Sequence, residues 1–169
     1  MGEIVVGVDD SPGARKALAW AVTEAKLRGA PLRVVHVQKE VEEWAAPLYF
    51  PSQHALPGLP TGSVGEPSSA ELADVLKTQE GLHEASRGRG EELVDQLVAE
   101  VATAGVDLEP SVVLERHPAD ALVELSSDAD LLVVGSRGRG GFGELVLGSV
   151  SHASVLHATC PVVVVPSRH

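Results

Sequence analysis

Between Leu131 and Val155 the chain reads LLVVGSRGRGGFGELVLGSVSHASV. An apolar run ends at Gly135, a loop follows with Gly138, Gly140, Gly141 and Gly143, and Gly148-Ser149 opens a helical pattern. Glycines let backbone N–H groups converge on one concavity with no Cβ in the way. A helix N-terminus adds unpaired N–H groups and a partial positive charge. Together they favour an anionic group, most often phosphate. Arg137 and Arg139 add positive charge to a chain whose formal net charge is -11. The same residues also suit a glycine-rich surface turn with ordinary helix capping, so the loop needs a further pattern to be read as a site.

Two phosphate-loop motifs do not fit. A Walker A loop needs Gly-Lys-Ser/Thr, and none of Lys16, Lys26, Lys39 and Lys77 follows a glycine. Gly138-Arg-Gly140-Gly-Phe-Gly143 has dinucleotide-fingerprint spacing, but only one strand follows it, and that strand ends in Val165-Pro166-Ser167 with no acid for a ribose. Asp9-Asp10 closes the first apolar run and offers either a cap for the next helix or an acceptor at a strand end. A phosphoacceptor receiver domain is excluded. It would need a lone Asp ending the third strand and a Lys ending the fifth, where Leu114-Glu115-Arg116 and Pro166-Ser167-Arg168 stand. Of the seven histidines, His36 lies within a strand and reads as a satisfied core or rim residue, and His117 precedes Pro118. His152 and His157 fall five apart, which is not same-face metal spacing on a helix. A protein-built metal site is not expected. Cys160 is the one cysteine, so no intrachain disulfide forms, and it reads first as a small buried hydrophobe, second as a reactive thiol.

Five apolar runs must position these residues: Ile4–Val8, Leu32–Val37, Leu108–Leu114, Leu131–Val134 and Val162–Val165. Most are nearly continuous rather than alternating, which means burial on both faces, as in a parallel sheet covered by helices. Helical patterns separate them, the alternation of an α/β protein. Ser11 and Pro12 open the first helix, Ala14, Ala17, Leu18, Ala21, Val22 and Ala25 form its apolar stripe, and Gly29 stops it. A second helix is expected around 91–104, with Gly88 and Gly90 weakening an earlier start near Ser69. A third follows Pro118, and a fourth starts near Ser149. Residues 41–68 hold Pro47, Pro51, Pro57, Pro60 and Pro67 and read as one long loop within a single domain spanning 1–169. Loops beyond about 12–15 residues are usually functional or disordered. This one carries Trp44, Tyr49 and Phe50, so it is either an excursion packing its aromatics on the surface or a lid or partner-binding segment.

Hydrophobic residues make up 44% and aromatics 3%, so the core must be built from Val, Leu and Ala. The acidic balance argues against a general affinity for nucleic acid or anionic membrane. MGEIVVGVDDS lacks the basic and apolar regions of a signal peptide, Val6 stands where myristoylation wants Ser or Thr, and no run reaches the length of a membrane span. A cytoplasmic protein is expected.

A third loop pattern fits. Gly135-x2-Gly138-x9-Gly148-Ser149 resembles the ATP-binding motif of the universal stress protein family. IVVGVDDSPGARKALAWA is similar to that family's first strand and helix, LRVVHV to its second strand, and DADLLVVGSRGRGG with GSVSHASVLHATCPVVVVP to its last third. Residues 41–89 match it poorly.

The resemblance implies a Rossmann-like five-stranded parallel sheet in the order 3-2-1-4-5 with helices on both faces. In that order strand 1 neighbours strands 2 and 4, so Asp9 and Gly135 meet at the topological switch point, where such sheets bind ligands. By position, Gly135, Ser136, Arg137, Gly138, Arg139, Gly140 and Gly141 would wrap phosphates and ribose. Gly148, Ser149, Val150 and Ser151 would complete the phosphate site. Gly7, Val8 and Asp9 would line the nucleoside side, and Val37 would contact adenine. The implied cofactor is ATP, with Mg²⁺ or Mn²⁺ carried on its phosphates. The family also tends to form homodimers, which Val162–Val165 as an apolar edge strand would suit, with Pro161 and Pro166 limiting the pairing. The expected role is a nucleotide-dependent regulator of a stress response that hydrolyses ATP slowly at most. An ATP-using enzyme, by slow hydrolysis or adenylation, and a nucleotide-free dimeric scaffold are the alternatives.

Overall fold

The computed structural model describes residues 2–39, 69–115, 117–138 and 147–167. The expected loop over 41–68 lies outside them, as do Arg139, Gly140 and Gly141. The chain divides into two compact units, one of Met1–Glu40 with Arg87–His169 and one of Val41–Ser86. The described part of the second unit is the leading stretch of one helix.

The first unit is an α/β layer structure. Its strands are β1 (Glu3–Val8), β2 (Leu32–Lys39), β3 (Leu108–Glu115), β4 (Ala129–Gly135) and β5 (Val162–Val165), with α1 (Pro12–Arg28), α2 (Ser69–Val101), α3 (Pro118–Leu125) and α4 (Ser149–His157) between them. All strand pairs are parallel, and the order is β3-β2-β1-β4-β5. Alternate residues of each strand face opposite layers. Ile4, Val6, Leu32, Val34, Leu131 and Val133 pack under α1 and α2 with Ala17, Leu18, Ala21, Val94 and Leu97. Val5, Val35, Val37, Leu132 and Val134 pack on the other face with Ala121 and Leu122 of α3. Continuous apolar runs are needed because both faces of β1, β2 and β4 are covered. The edge strands β3 and β5 are only half-buried. Trp20, the one aromatic among the described residues, belongs to neither cluster.

The ends of α1 follow local chemistry. Ser11 has extended φ/ψ, and its hydroxyl accepts the Ala14 N–H at 3.2 Å. Gly29 closes the helix at φ 63°, a left-handed conformation that suits glycine. α2 differs from expectation. It runs continuously through Gly88 and Gly90, and Ala102–Ala104 continue as a 3-10 turn ending at left-handed Gly105. Gly90 is where helix and sheet come closest. A Cβ there would sit 3.0 Å from Val112 Cγ1 and 3.3 Å from His36 Cδ2. Tertiary packing therefore overrides a helix-propensity penalty of about 1 kcal/mol. Among the described residues no helix is long and apolar enough to cross a membrane.

Candidate functional site

β1 and β4 lie side by side and end together, β1 leading into α1 and β4 into the glycine loop. β2 continues past the end of β1 on its other side. The three strand ends, the first turn of α1 and the start of α4 enclose a cleft of about 450 Å³. That volume lies within the usual range for small-molecule sites.

Gly7, Val8 and Asp9 of the expected nucleoside side line this cleft, and so does Val37 at the end of β2. Gly135, Arg137 and Gly138 line its loop side, and Gly148, Ser149, Val150 and Ser151 line its helix side. Residues from four separate stretches of sequence thus converge on one concavity. Ser136 is the exception among the described candidates and is not part of the lining.

Three of the glycines sit where an added side chain would be crowded, Gly135 by backbone and the other two by side-chain ends. A Cβ on Gly138 would fall 2.5 Å from Asp9 Oδ2, and one on Gly135 would fall 3.0 Å from the Gly13 carbonyl oxygen. One on Gly7 would meet Leu122 Cδ1 at 2.6 Å. None of these three has positive φ. Gly148 differs, since the nearest atom to an added Cβ there is at 3.6 Å. Its place is set by hydrogen bonding. Its N–H donates to the Ser136 carbonyl at 2.8 Å, and its carbonyl accepts the His152 N–H at 2.9 Å as α4 begins. The first N–H groups of α4 have no intrahelical acceptor, as at any helix start.

Asp9 combines the two roles open to it. Its Oδ1 accepts the backbone N–H of Ser11 at 3.0 Å and the Ser11 hydroxyl, which fixes the entry to α1. Its Oδ2 lies against Gly138. His36 is 2% exposed and also lines the cleft. Its Nδ1 donates to the Val8 carbonyl at 2.9 Å, and its Nε2 faces the Gln38 carboxamide at 3.2 Å, whose NH2 group can donate to it in the flipped orientation. This is the satisfied rim histidine expected from its strand position. The buried Ser151 hydroxyl is within hydrogen-bond distance of the Ser136 carbonyl at 3.1 Å and the Gly148 carbonyl at 3.0 Å, tying α4 to the loop.

Sequence reasoning missed Ala14, Val35, Pro118, Leu122, Val134 and Leu147, which with His36 complete the cleft wall. They are ordinary apolar residues, and only their place near element ends at the carboxyl edge of the sheet could have singled them out. Among the described residues no group of three or more His, Cys, Asp and Glu side chains could hold a metal ion.

A model described as the universal stress protein family matches residues 1–57 and 54–166. The chain belongs to the universal stress protein family. A universal stress protein of Mycobacterium tuberculosis is 38% identical over 167 residues, 96% of this chain and 46% of the relative. This chain therefore spans about half the length of that relative. A universal stress protein of Thermus aquaticus is 33% identical over 164 residues, and the match covers 96% of both. Among solved structures, UspA from Lactobacillus plantarum superposes with a TM-score of 0.69 at 21% identity, covering 97% of each chain. The universal stress protein from Archaeoglobus fulgidus in complex with dAMP gives 0.55 at 24% identity, covering 97% of each. A universal stress protein in complex with cAMP gives 0.60 at 24% identity, covering 99% of this chain and 98% of the other. These structural likenesses establish the shared fold.

Proposed function

We propose that the cleft binds an adenine nucleotide, ATP foremost, and that occupancy regulates the protein. The observation that carries this reading is the convergence of a glycine loop, a helix start and an apolar slot at the β1/β4 switch point. The loop and the helix start supply N–H donors for phosphates. Val35, Val37, Pro118 and Leu122 supply an apolar wall for a base. Family membership supports the same reading, as do the two family structures that hold dAMP and cAMP. By their place in the motif, Arg139, Gly140 and Gly141 are proposed as further phosphate and ribose contacts. Mg²⁺ or Mn²⁺ would arrive on the phosphates, since hard cations are commonly held this way.

Regulation fits the chemistry better than turnover. Asp9 Oδ1 accepts from Ser11, and His36 Nδ1 donates to the Val8 carbonyl. Neither is poised to activate a water, so hydrolysis is slow, below about 1 s⁻¹. The protein would act as a cytoplasmic stress regulator. Residues 1–169 would form one family-type domain with 41–68 as a loop inside it, and two copies would pair through Val162–Val165.

Calorimetric titration tests the site, with ATP, ADP, AMP and cAMP, with and without Mg²⁺, beside a Gly138→Val variant. Wild-type protein should bind ATP near micromolar, about -8 kcal/mol. The variant, still folded by circular dichroism, should lose that binding because its side chain occupies the space of Asp9 Oδ2. Absence of binding by folded, nucleotide-free wild type would defeat the reading and leave the dimeric scaffold.

A further inference from the structure

Ser136 sits in the middle of the loop motif, yet its polar groups face the framework. Its N–H donates to the Val165 carbonyl at 2.7 Å, and its carbonyl accepts the Gly148 N–H at 2.8 Å. Its hydroxyl accepts the Ser167 N–H at 3.0 Å, and the two hydroxyls lie 3.3 Å apart. The Ser167 carbonyl in turn accepts from Lys16 Nζ of α1 at 3.1 Å. One chain of hydrogen bonds thus runs from α1 through the end of β5 to the loop and on to α4. Packing along it is close. A Cβ on Gly13 would fall 2.7 Å from the Arg137 carbonyl oxygen and 3.5 Å from Ser167 Cβ.

We propose that Lys16 and Ser167 form a latch that positions the Gly135–Gly138 segment and the α4 N-terminus for nucleotide phosphates. The proposal rests on the reading of the cleft as a nucleotide site. Neither residue lines the cleft, so both are positioning residues. A glycine-rich loop is entropically expensive to order, and a site whose donors are held in place beforehand avoids that cost on binding. The Lys16 ammonium makes a charge-assisted bond to the Ser167 carbonyl. Polarising that residue's neighbouring groups strengthens a hydrogen-bond chain of this kind. The latch ties α1 to the segment after β5 and, through Ser136, to the loop beside the cleft.

The test uses the full chain, with Lys16→Met, Lys16→Arg and Ser136→Ala, and two readouts. Hydrogen exchange on nucleotide-free protein reports the amides of Ser167 and Gly148. Calorimetry reports ATP affinity. Lys16→Met should speed exchange at both amides while the core strands keep their protection. It should weaken ATP binding about three- to tenfold, the loss expected for one or two modest hydrogen bonds. Lys16→Arg should restore both, and Ser136→Ala should reproduce the loss from the loop side. Unchanged exchange at these amides, or equal affinity in wild type and Lys16→Met, overturns the latch. If wild type itself binds no nucleotide, the nucleotide reading fails. Exchange then decides the latch alone, with acceleration at Ser167 and Gly148 supporting it and no change overturning it.

Discussion

Gly13 and Gly29 bracket α1 and are glycine for different reasons. Gly29 needs a left-handed backbone at φ 63°, and an added Cβ there would meet nothing within 4 Å. Gly13 has an ordinary helical place, but a Cβ there would press on a backbone carbonyl of the glycine loop. A backbone atom cannot rotate out of the way as a side-chain tip can. Gly13→Ala should therefore destabilise the fold by about 1–3 kcal/mol, lowering Tm by about 3–10 °C, and should also weaken ATP binding by shifting Arg137. Gly29→Ala is the control. It should cost about 1–2 kcal/mol and leave affinity unchanged, a contrast that thermal unfolding and calorimetry on both variants would check. Cys160 is a simpler case. It packs against the core cluster beneath α3, its thiol lies 3.4 Å from the Pro161 carbonyl oxygen, and burial pushes that thiol above its ordinary pKa. A raised thiol has little thiolate at neutral pH, so the small-hydrophobe reading suits it better than the reactive one.

At the scale of elements, α2 shows propensity yielding to packing at one glycine and not at its neighbour. Gly90 abuts β2 and β3, while an added Cβ on Gly88 would meet nothing within 4 Å. Gly88→Ala should stabilise the protein by about 0.5–1 kcal/mol by removing backbone freedom from the unfolded chain. Gly90→Ala should lose that gain or reverse it, because Val112 and His36 must both give way. Paired denaturant titrations measure the difference, and equal gains would mean that α2 does not approach the sheet as described.

For the whole molecule, a chain of formal net charge -11 places Arg137 in the lining of its cleft. That distribution suits a small anion rather than a polyanion. Among the described residues β5 is an edge strand with one partner, which bears on assembly. The Pro161 and Val165 carbonyls accept from Leu132 of β4 and from Ser136 just after it, so by alternation the Val162 and Val164 backbone groups point away from β4. The homodimer proposed through this strand should dissociate in Val164→Pro, which removes an outward N–H and leaves the β4 bonds in place. Wild type should sediment as a dimer at micromolar concentration and the variant as a folded monomer. A monomeric wild type would remove the edge-pairing proposal.

The sequence alone determined the parts of this protein that rest on local chemistry and period. Continuous Val-rich runs marked strands buried on both faces, Ser11, Pro12 and Gly29 marked the ends of α1, and the spacing of Gly135, Gly138 and Gly148 marked the loop. Each depends on residues near one another in the chain, so each leaves a readable pattern. Only the tertiary structure decided what crosses the sheet. It brought Asp9 Oδ2 against Gly138, Gly13 against Arg137, and Leu122 over Gly7. It also brought the polar groups of Ser136 into hydrogen bonds with Val165, Ser167 and Gly148. The first three contacts join residues more than a hundred positions apart, through a parallel sheet whose strand order is not its chain order, and no local spacing encodes them.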